Sequence, residues 1–373
     1  MSTIKTTNLQ NASAASPAFV LAADGSATAN PSSVNDGPTA GTRNRIINGD
    51  MRIDQRNAGA SVTPTVDNQY VLDRWRADLS VSSKYSVQQN AAAVTPPAGF
   101  TNYLGVTSLS AYAISASDYF MVEQVIEGFN VSDLGWGAAA ATAITLSFKV
   151  RSSLTGTFGG SVMNSAANRS YPFTYSISTA NTWETKTVTI PGDTTGTWVT
   201  GNGIGIRLFF GLGVGATNSG TAGAWAAAGY LGATGATSVV GTNGATFYIT
   251  GVQLEPGSVA TPFERRSYGA ELALCQRYYQ QGFTWFGKFS SSTSFYGYGS
   301  YPVEMRAAPT VTYISGGSIS EIGLADRSVT AISSYAGNAK GGYFQAAVSG
   351  ATSQAMGANA AGNPVIANFS SEL

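Results

Sequence analysis

The chain has 373 residues, enough for two or three modest domains, and only 11% of them are charged, against about 25% in ordinary globular proteins. Twenty Lys and Arg balance twenty Asp and Glu, so no basic face calls for nucleic acid and little self-repulsion opposes assembly. Histidine is absent and cysteine occurs once, at Cys275, which excludes Ser-His-Asp and Cys-His catalysis, an internal disulfide and zinc–thiolate sites.

The N-terminal stretch lacks the apolar core of a signal peptide, and the longest apolar runs, around 138–148 and 208–214, are too short to span a bilayer. The expectation is a soluble chain with no membrane insertion and no cofactor, assembled in a reducing cytoplasm. Residues 1–42 are polar and rich in Ala, Ser, Thr and Asn. They read either as an extended arm with short strands that orders on docking to a partner, or as a disordered tail.

From 43 to 266 the pattern is β. Residues 143–150, 183–190 and 246–254 alternate apolar and polar at period two, and Gly156, Pro191, Gly201 and Pro256 follow such segments as breakers. Many short strands between turns predict an all-β, jelly-roll-like antiparallel sandwich. The stretch 208–254 has no charged residue. It reads as a long loop carrying a binding edge or, preferably, as a segment packed against a neighbouring subunit.

One helix is expected over 267–281, with Ser267 capping its start, Leu272, Leu274, Cys275, Tyr278 and Tyr279 on its apolar face, and Gly282 closing it. It would link the sandwich to a small C-terminal β domain over 283–373. Strands are expected there around 283–289, 310–314 and 342–348.

No two carboxylates stand at a spacing diagnostic of glycoside hydrolysis, so no catalytic residue is assigned, and no metal site is expected. Asp50 and Asp54 would share a strand face with Arg52 and Arg56 beside them, which favours structural ion pairs. Asp73-Arg74-Trp75 could stack and hydrogen-bond a sugar, but reads better as a strand entering a core, with Trp75 buried and Arg74 paired. Glu255 and Phe263 read as an exit staple, with Phe263 plugging the core. For sugar contact the candidates are Tyr296, Tyr298 and Tyr301 in a Gly/Ser-rich loop, and secondarily Trp285 and Trp225. A cross-strand aromatic ladder, or the threefold core of an oligomer, would use the tyrosines equally well.

Two motifs narrow the reading. The first is Ile46-Ile-Asn-Gly-Asp-Met-Arg-Ile-Asp-Gln-Arg56, which contains Asn48, Asp50 and Arg52, followed by Leu72-Asp-Arg-Trp75. The second is Val252-Gln-Leu-Glu-Pro-Gly with Ala260-Thr-Pro-Phe-Glu264 and the helix Glu271-Leu-Ala-Leu-Cys-Gln-Arg-Tyr-Tyr279. With Met305-Arg-Ala-Ala-Pro-Thr-Val311 and Ser371-Glu-Leu373, they resemble the fibre and fibre-like structural proteins of tailed bacteriophages, over residues 43–373. The resemblance implies a carbohydrate-binding-like jelly-roll module, homotrimeric packing and a place on the virion surface, and carries over no sugar-contacting residue. The expected function is attachment to host surface polysaccharide, with residues 1–42 joining other virion proteins. A structural capsid decoration or tail adaptor is the alternative, and a glycan-degrading tailspike the third reading.

Overall fold

The computed structural model describes residues 43–282, 284–314, 317–359 and 367–373, and the backbone of short strand fragments within residues 1–42. Three fragments, Asn8–Leu9, Phe19–Leu21 and Ala27–Ala29, pair antiparallel, as do Ser33–Val34 and Gly37–Pro38. The rest of the arm, on which its docking role would depend, lies outside the described residues.

Eleven strands build an antiparallel two-sheet sandwich. They are β1 (Gln69–Leu72), β2 (Trp75–Leu79), β3 (Tyr85–Gln89), β4 (Leu104–Ser108), β5 (Tyr119–Glu127), β6 (Ile144–Ser152), β7 (Gly156–Met163), β8 (Ser170–Ile177), β9 (Glu184–Ile190), β10 (Ile204–Val214) and β11 (Thr246–Pro256). One sheet has six strands in the order β8-β7-β10-β5-β2-β1, the other five in the order β9-β6-β11-β4-β3. Side-chain alternation decides what lies between them. On β6, Ile144, Leu146, Phe148 and Val150 are fully buried, while Ser147, Lys149 and Arg151 face outward. Trp75, Phe120, Leu208, Phe210 and Phe247 complete one continuous core.

The charge-free stretch packs in part on its own sheet. Leu231 lies against Met121, Met163 and Phe209 on the outer face of the six-stranded sheet, and Val239 and Val240 enter the core. Small residues let this segment lie close to the strands beneath it.

The helix is α1 (Tyr268–Gln276), and Ser267 accepts the Ala270 N–H at its start. It ends earlier than its apolar spacing predicts, and the chain turns into β12 (Tyr279–Gln281). There Arg277 and the Tyr278 hydroxyl both bind Glu127 of the sandwich, at 2.7 and 2.5 Å, and Tyr279 pairs with Ser370. Gly282 therefore follows a strand, not a helix.

Beyond it come β13 (Thr284–Ser291), β14 (Ser294–Ser300), β15 (Thr310–Tyr313), β16 (Ser318–Glu321), β17 (Asp326–Asn338), β18 (Gly341–Val348), β19 (Met356–Asn359) and β20 (Ala367–Ser370). Six of these close into a barrel in the order β13-β14-β18-β17-β16-β19, while β12, β20 and β15 form a separate three-stranded sheet. Trp285, Phe289, Phe295, Ile319 and Phe344 fill the barrel region's core.

The last residues lock this part to the sandwich. Glu372 pairs with Arg56 at 2.6 Å and with Arg74, whose guanidinium is also 3.6 Å from the Tyr278 ring centre. Arg306 donates to the carbonyls of Ser371 and Glu372 at 2.7 and 2.8 Å. Arg74 is 1% exposed, so removing its counter-charge strands a buried cation. Glu372→Ala is expected to cost about 3–5 kcal/mol, read as a lower denaturant midpoint; a change within about 0.5 kcal/mol, as at ordinary surface sites, would show that the clamp contributes nothing.

Candidate functional site

The segment 294–301, expected as a loop, is strand β14 followed by Tyr301. Its alternation sends Phe295 and Gly297 inward and Tyr296 and Tyr298 out to solvent, 42% and 71% exposed. The barrel register then aligns aromatics across three neighbouring strands. Phe286 on β13 stands opposite Tyr298, which stands opposite Tyr343 on β18. All three are exposed, and the Tyr298 and Tyr343 rings lie 11° from parallel with centres 6.5 Å apart. Strands about 4.8 Å apart make this row roughly 10 Å long. The next row places Lys288 opposite Tyr296 and Tyr296 opposite Gln345. Beside Tyr298 and Tyr343 lies a shallow basin of about 290 Å³ lined by Ser300, Asn338 and Lys340 as well.

Close backbone approach makes the strip possible. Gly287 and Gly297 face each other across β13 and β14, and a Cβ on Gly297 would sit 2.5 Å from the Phe344 ring. Only glycine leaves room for the aromatic interior under the strip.

The other predicted contact residues are not surface platforms. Trp285 is 1% exposed in the barrel core, edge-to-face with Phe295 and Phe344. Tyr301 is 7% exposed, its ring against Phe369 and its hydroxyl on that of Tyr335. Strand parity turns Trp285 inward, and the departure from β14 carries Tyr301 under the three-stranded sheet. Half-buried Trp225 meets Trp136 and Trp198 edge-to-face at 5.3 and 5.6 Å and donates its indole N–H to the Pro191 carbonyl. That cluster seals one end of the sandwich. Sequence reading missed Phe286 and Tyr343, whose partner strands had to be known before the row could be seen.

The motif residues gather at one seam. Asn48 takes a left-handed conformation (φ 58) and donates its backbone N–H to Glu271 at 2.5 Å. Its side-chain amide donates to the carbonyls of Ile53 and Asp73, while its own carbonyl accepts the Trp75 indole N–H. Asp50 pairs with Arg52 at 2.5 Å, but in a turned segment, not on a strand. Buried Glu255 accepts from Thr261 and Gln253. Burial pushes the Asp73 carboxyl up to about 6, against the pull of Arg56 and Gln55. Phe263 departs from expectation. It lies on the outer face of the five-stranded sheet, edge-to-face with Phe100 at 5.2 Å, because the chain folds back over that face after Pro256.

No protein-family model matches the chain, and no curated protein does. Among solved structures, the enzymatically active domain of tailspike protein 4 from bacteriophage CBA120 is similar at 10% identity, over 57% of this chain and 21% of that one, with a TM-score of 0.31. A family 11 carbohydrate-binding module from Clostridium thermocellum, in complex with a β-1,3-1,4-mixed-linked tetrasaccharide, is similar at 10% identity over 54% of this chain and 98% of that one, with a TM-score of 0.25. The N-terminal cellulose-binding domain of Cellulomonas fimi β-1,4-glucanase C gives 11%, 54%, 100% and 0.26 for the same measures. Likenesses of this size assign neither function nor site.

Charge on the sandwich concentrates on the outer face of the six-stranded sheet. Glu123, fully buried, binds Arg76 at 2.5 Å and Arg207 at 2.6 Å, and Asp78 hydrogen-bonds to it. Arg76 and Arg207 stand 3.3 and 3.6 Å from the Asp78 oxygens and pull its pKa down, but neither hydrogen-bonds to it, so the Asp78–Glu123 contact itself needs a proton between the two carboxyls. Burial pushes the Asp78 carboxyl up to about 9, with the Glu123 contact adding to it. Glu123 stays below its ordinary value because, against its burial, the contacts with Asp78 and the two arginines favour its charged form. A touching, buried pair differs from the glycosidase arrangement, whose carboxyls stand about 5–9.5 Å apart across a sugar.

The pair has a pH signature. Folded Asp78 holds a proton that the unfolded carboxyl releases near its ordinary value of 3.8, so its contribution to stability is full below that value and falls as pH rises towards 9. Asp73 adds the same sign of slope only up to about 6. Asp78→Asn is expected to raise the melting temperature at pH 8 by a few degrees, at roughly 2–4 °C per kcal/mol, and to flatten its decline between pH 6 and 9. An unchanged slope in thermal melts across that range rules out the shared proton.

Proposed function

We propose that this chain is a fibre-type attachment protein on the surface of a tailed-phage virion, a binding protein and not an enzyme. It holds a host-surface glycan on the aromatic strip of its barrel. The observation that carries this reading is the exposed row Phe286, Tyr298 and Tyr343, presented by three neighbouring strands of a closed barrel. Flat rings offer apolar area to sugar faces, and Asn338, Lys340 and Gln345 nearby offer polar groups to hydroxyls. A large exposed aromatic patch on a soluble chain marks a contact surface. The virion setting follows the motif resemblance, as does a homotrimer, assembled in the host cytoplasm, in which three weak sites gain avidity through effective concentration. In the structural alternative, a capsid decoration or tail adaptor, the same strip would meet protein. The tailspike reading finds less support, since the buried carboxylates Glu123, Glu127, Asp193 and Glu321 are all held by arginines.

Tyr298→Ala and Tyr343→Ala are each expected to weaken binding to host polysaccharide about five-fold, near 1 kcal/mol per ring, with the melting temperature unchanged. Calorimetry on the verified oligomer reads this, and undiminished affinity in the double variant removes the strip as the site. Oligomer dissociation in the same variants would assign the strip to subunit contact. Deleting residues 1–42 is expected to abolish incorporation into particles while glycan affinity persists; truncated chains that still load onto particles would refute the arm's role.

A further inference from the structure

A second surface, on the sandwich, has a different chemistry. The outer face of the five-stranded sheet holds a groove of about 350 Å³, within the ordinary range of ligand sites, about 300–1,000 Å³. Its floor follows from strand parity. Ser147 and Lys149 point outward from β6, opposite Thr187 and Thr185 on β9. Its wall is the Phe100–Phe263 pair, Phe263 from the chain returning after β11 and Phe100 from the loop between β3 and β4. Gly251 (φ 62) sits under that wall, and a Cβ there would fall 2.7 Å from the Phe100 ring.

Two cations complete the lining. Arg265 is exposed and lies 4.7 Å from the Phe100 ring centre and 5.7 Å from that of Phe263. The Lys149 ammonium donates to the Thr185 hydroxyl at 2.9 Å. The groove is lined by no carboxylate, and among the described residues neither cation forms an ion pair. In a chain of zero net charge this is a local positive excess. It stands beside hydroxyls that donate and accept, and beside an aromatic wall that packs against C–H faces.

We propose that this groove binds an acidic saccharide. One hexuronate unit of a polysaccharide would place its carboxylate between Lys149 and Arg265, its hydroxyls on Ser147, Thr185 and Thr187, and its apolar face on Phe100 and Phe263. An extended acidic peptide fits less well. Both edges of β6 are already paired, to β9 and β11, so strand addition could use only the outer edge of β9, where an extended peptide would run beside the groove and not across Lys149 and the aromatic wall. The site stands apart from the barrel strip and does not depend on it.

The test is calorimetry on the full chain with tetragalacturonate, a neutral galactotetraose and poly-glutamate. Tetragalacturonate is expected to bind at least ten-fold more tightly than the neutral tetraose, and to weaken as salt is raised. Lys149→Ala and Arg265→Ala should each weaken it about ten-fold, whereas Tyr298→Ala should leave it unchanged. Both replaced side chains reach solvent, so unaltered melting temperatures will certify folded variants. Thr187→Val, which removes a hydroxyl but no charge, should weaken both saccharides. The proposal is overturned if tetragalacturonate does not bind, if the neutral tetraose or poly-glutamate binds equally well, or if uronate binding survives loss of both cations.

Discussion

The arrangement rests on one buried polar seam. Segments 44–56 and 252–271 lie more than two hundred residues apart in the chain, yet run together once the sandwich closes. Arg45 donates its backbone N–H to Leu254, and Val252 donates its own to Gly49. Every polar group brought there must find a partner, since each one left unpaired costs about 1–3 kcal/mol. Asn48 meets most of that demand. Its left-handed backbone and amide reach Glu271, Ile53, Asp73 and Trp75 together. Through Glu271 the seam fixes α1, and through Glu127 with Arg277 and Tyr278 it fixes where α1 becomes β12. The C-terminal sheet is then placed by β12 pairing with β20.

The seam also explains how a chain so poor in charge distributes it. Arg56, Arg74, Arg266, Arg277 and Arg306 all lie where sandwich, helix and C-terminal residues meet, each engaged with a carboxylate or a carbonyl. A second cluster, Arg76, Asp78, Glu123 and Arg207, sits on the outer face of the six-stranded sheet. Charge used to join segments is not available to decorate the surface. The faces left over are the neutral aromatic strip of the barrel and the hydroxyl floor of the groove. Such surfaces meet ligands by shape, stacking and hydrogen bonding, not by long-range attraction, and the groove's two cations, which have no carboxylate partner among the described residues, are the local exception.

Much of the sandwich was legible because β periodicity is a local property. The segments 143–150, 183–190 and 246–254 match observed strands to within one residue at their starts. The helix start was legible for the same reason, since Ser267 caps the turn beside it. Its end was not, because Glu127, 150 residues upstream, decides where Arg277 and Tyr278 must sit. Phe263 reads as a core residue by composition, and only the chain's fold-back over the sheet shows that it lies outside. The stretch from 208 to 254 looked like a surface for a partner because it has no charge. Absence of charge signals burial without saying against what, and part of the stretch is covered by its own sheet. The aromatic strip was half legible: Tyr296 and Tyr298 stand two residues apart in sequence, whereas Phe286 and Tyr343 join them only through register.

Barrel closure and strip are linked by the same residues. A sheet that ends in edges twists freely and exposes unpaired backbone, whereas closure fixes every strand's parity relative to its neighbours. On β14 that parity must satisfy two demands at once: Phe295 belongs inside with Phe289 and Phe344, and so Tyr296 and Tyr298 must lie outside. The interior rings are too large to be backed by side chains on every inward position, and Gly287 and Gly297 supply the clearance. An exposed flat row is therefore the geometric complement of a crowded aromatic interior. Its rigidity comes from the core beneath it, so the ordering cost that a flexible loop would meet on binding is already met in the fold.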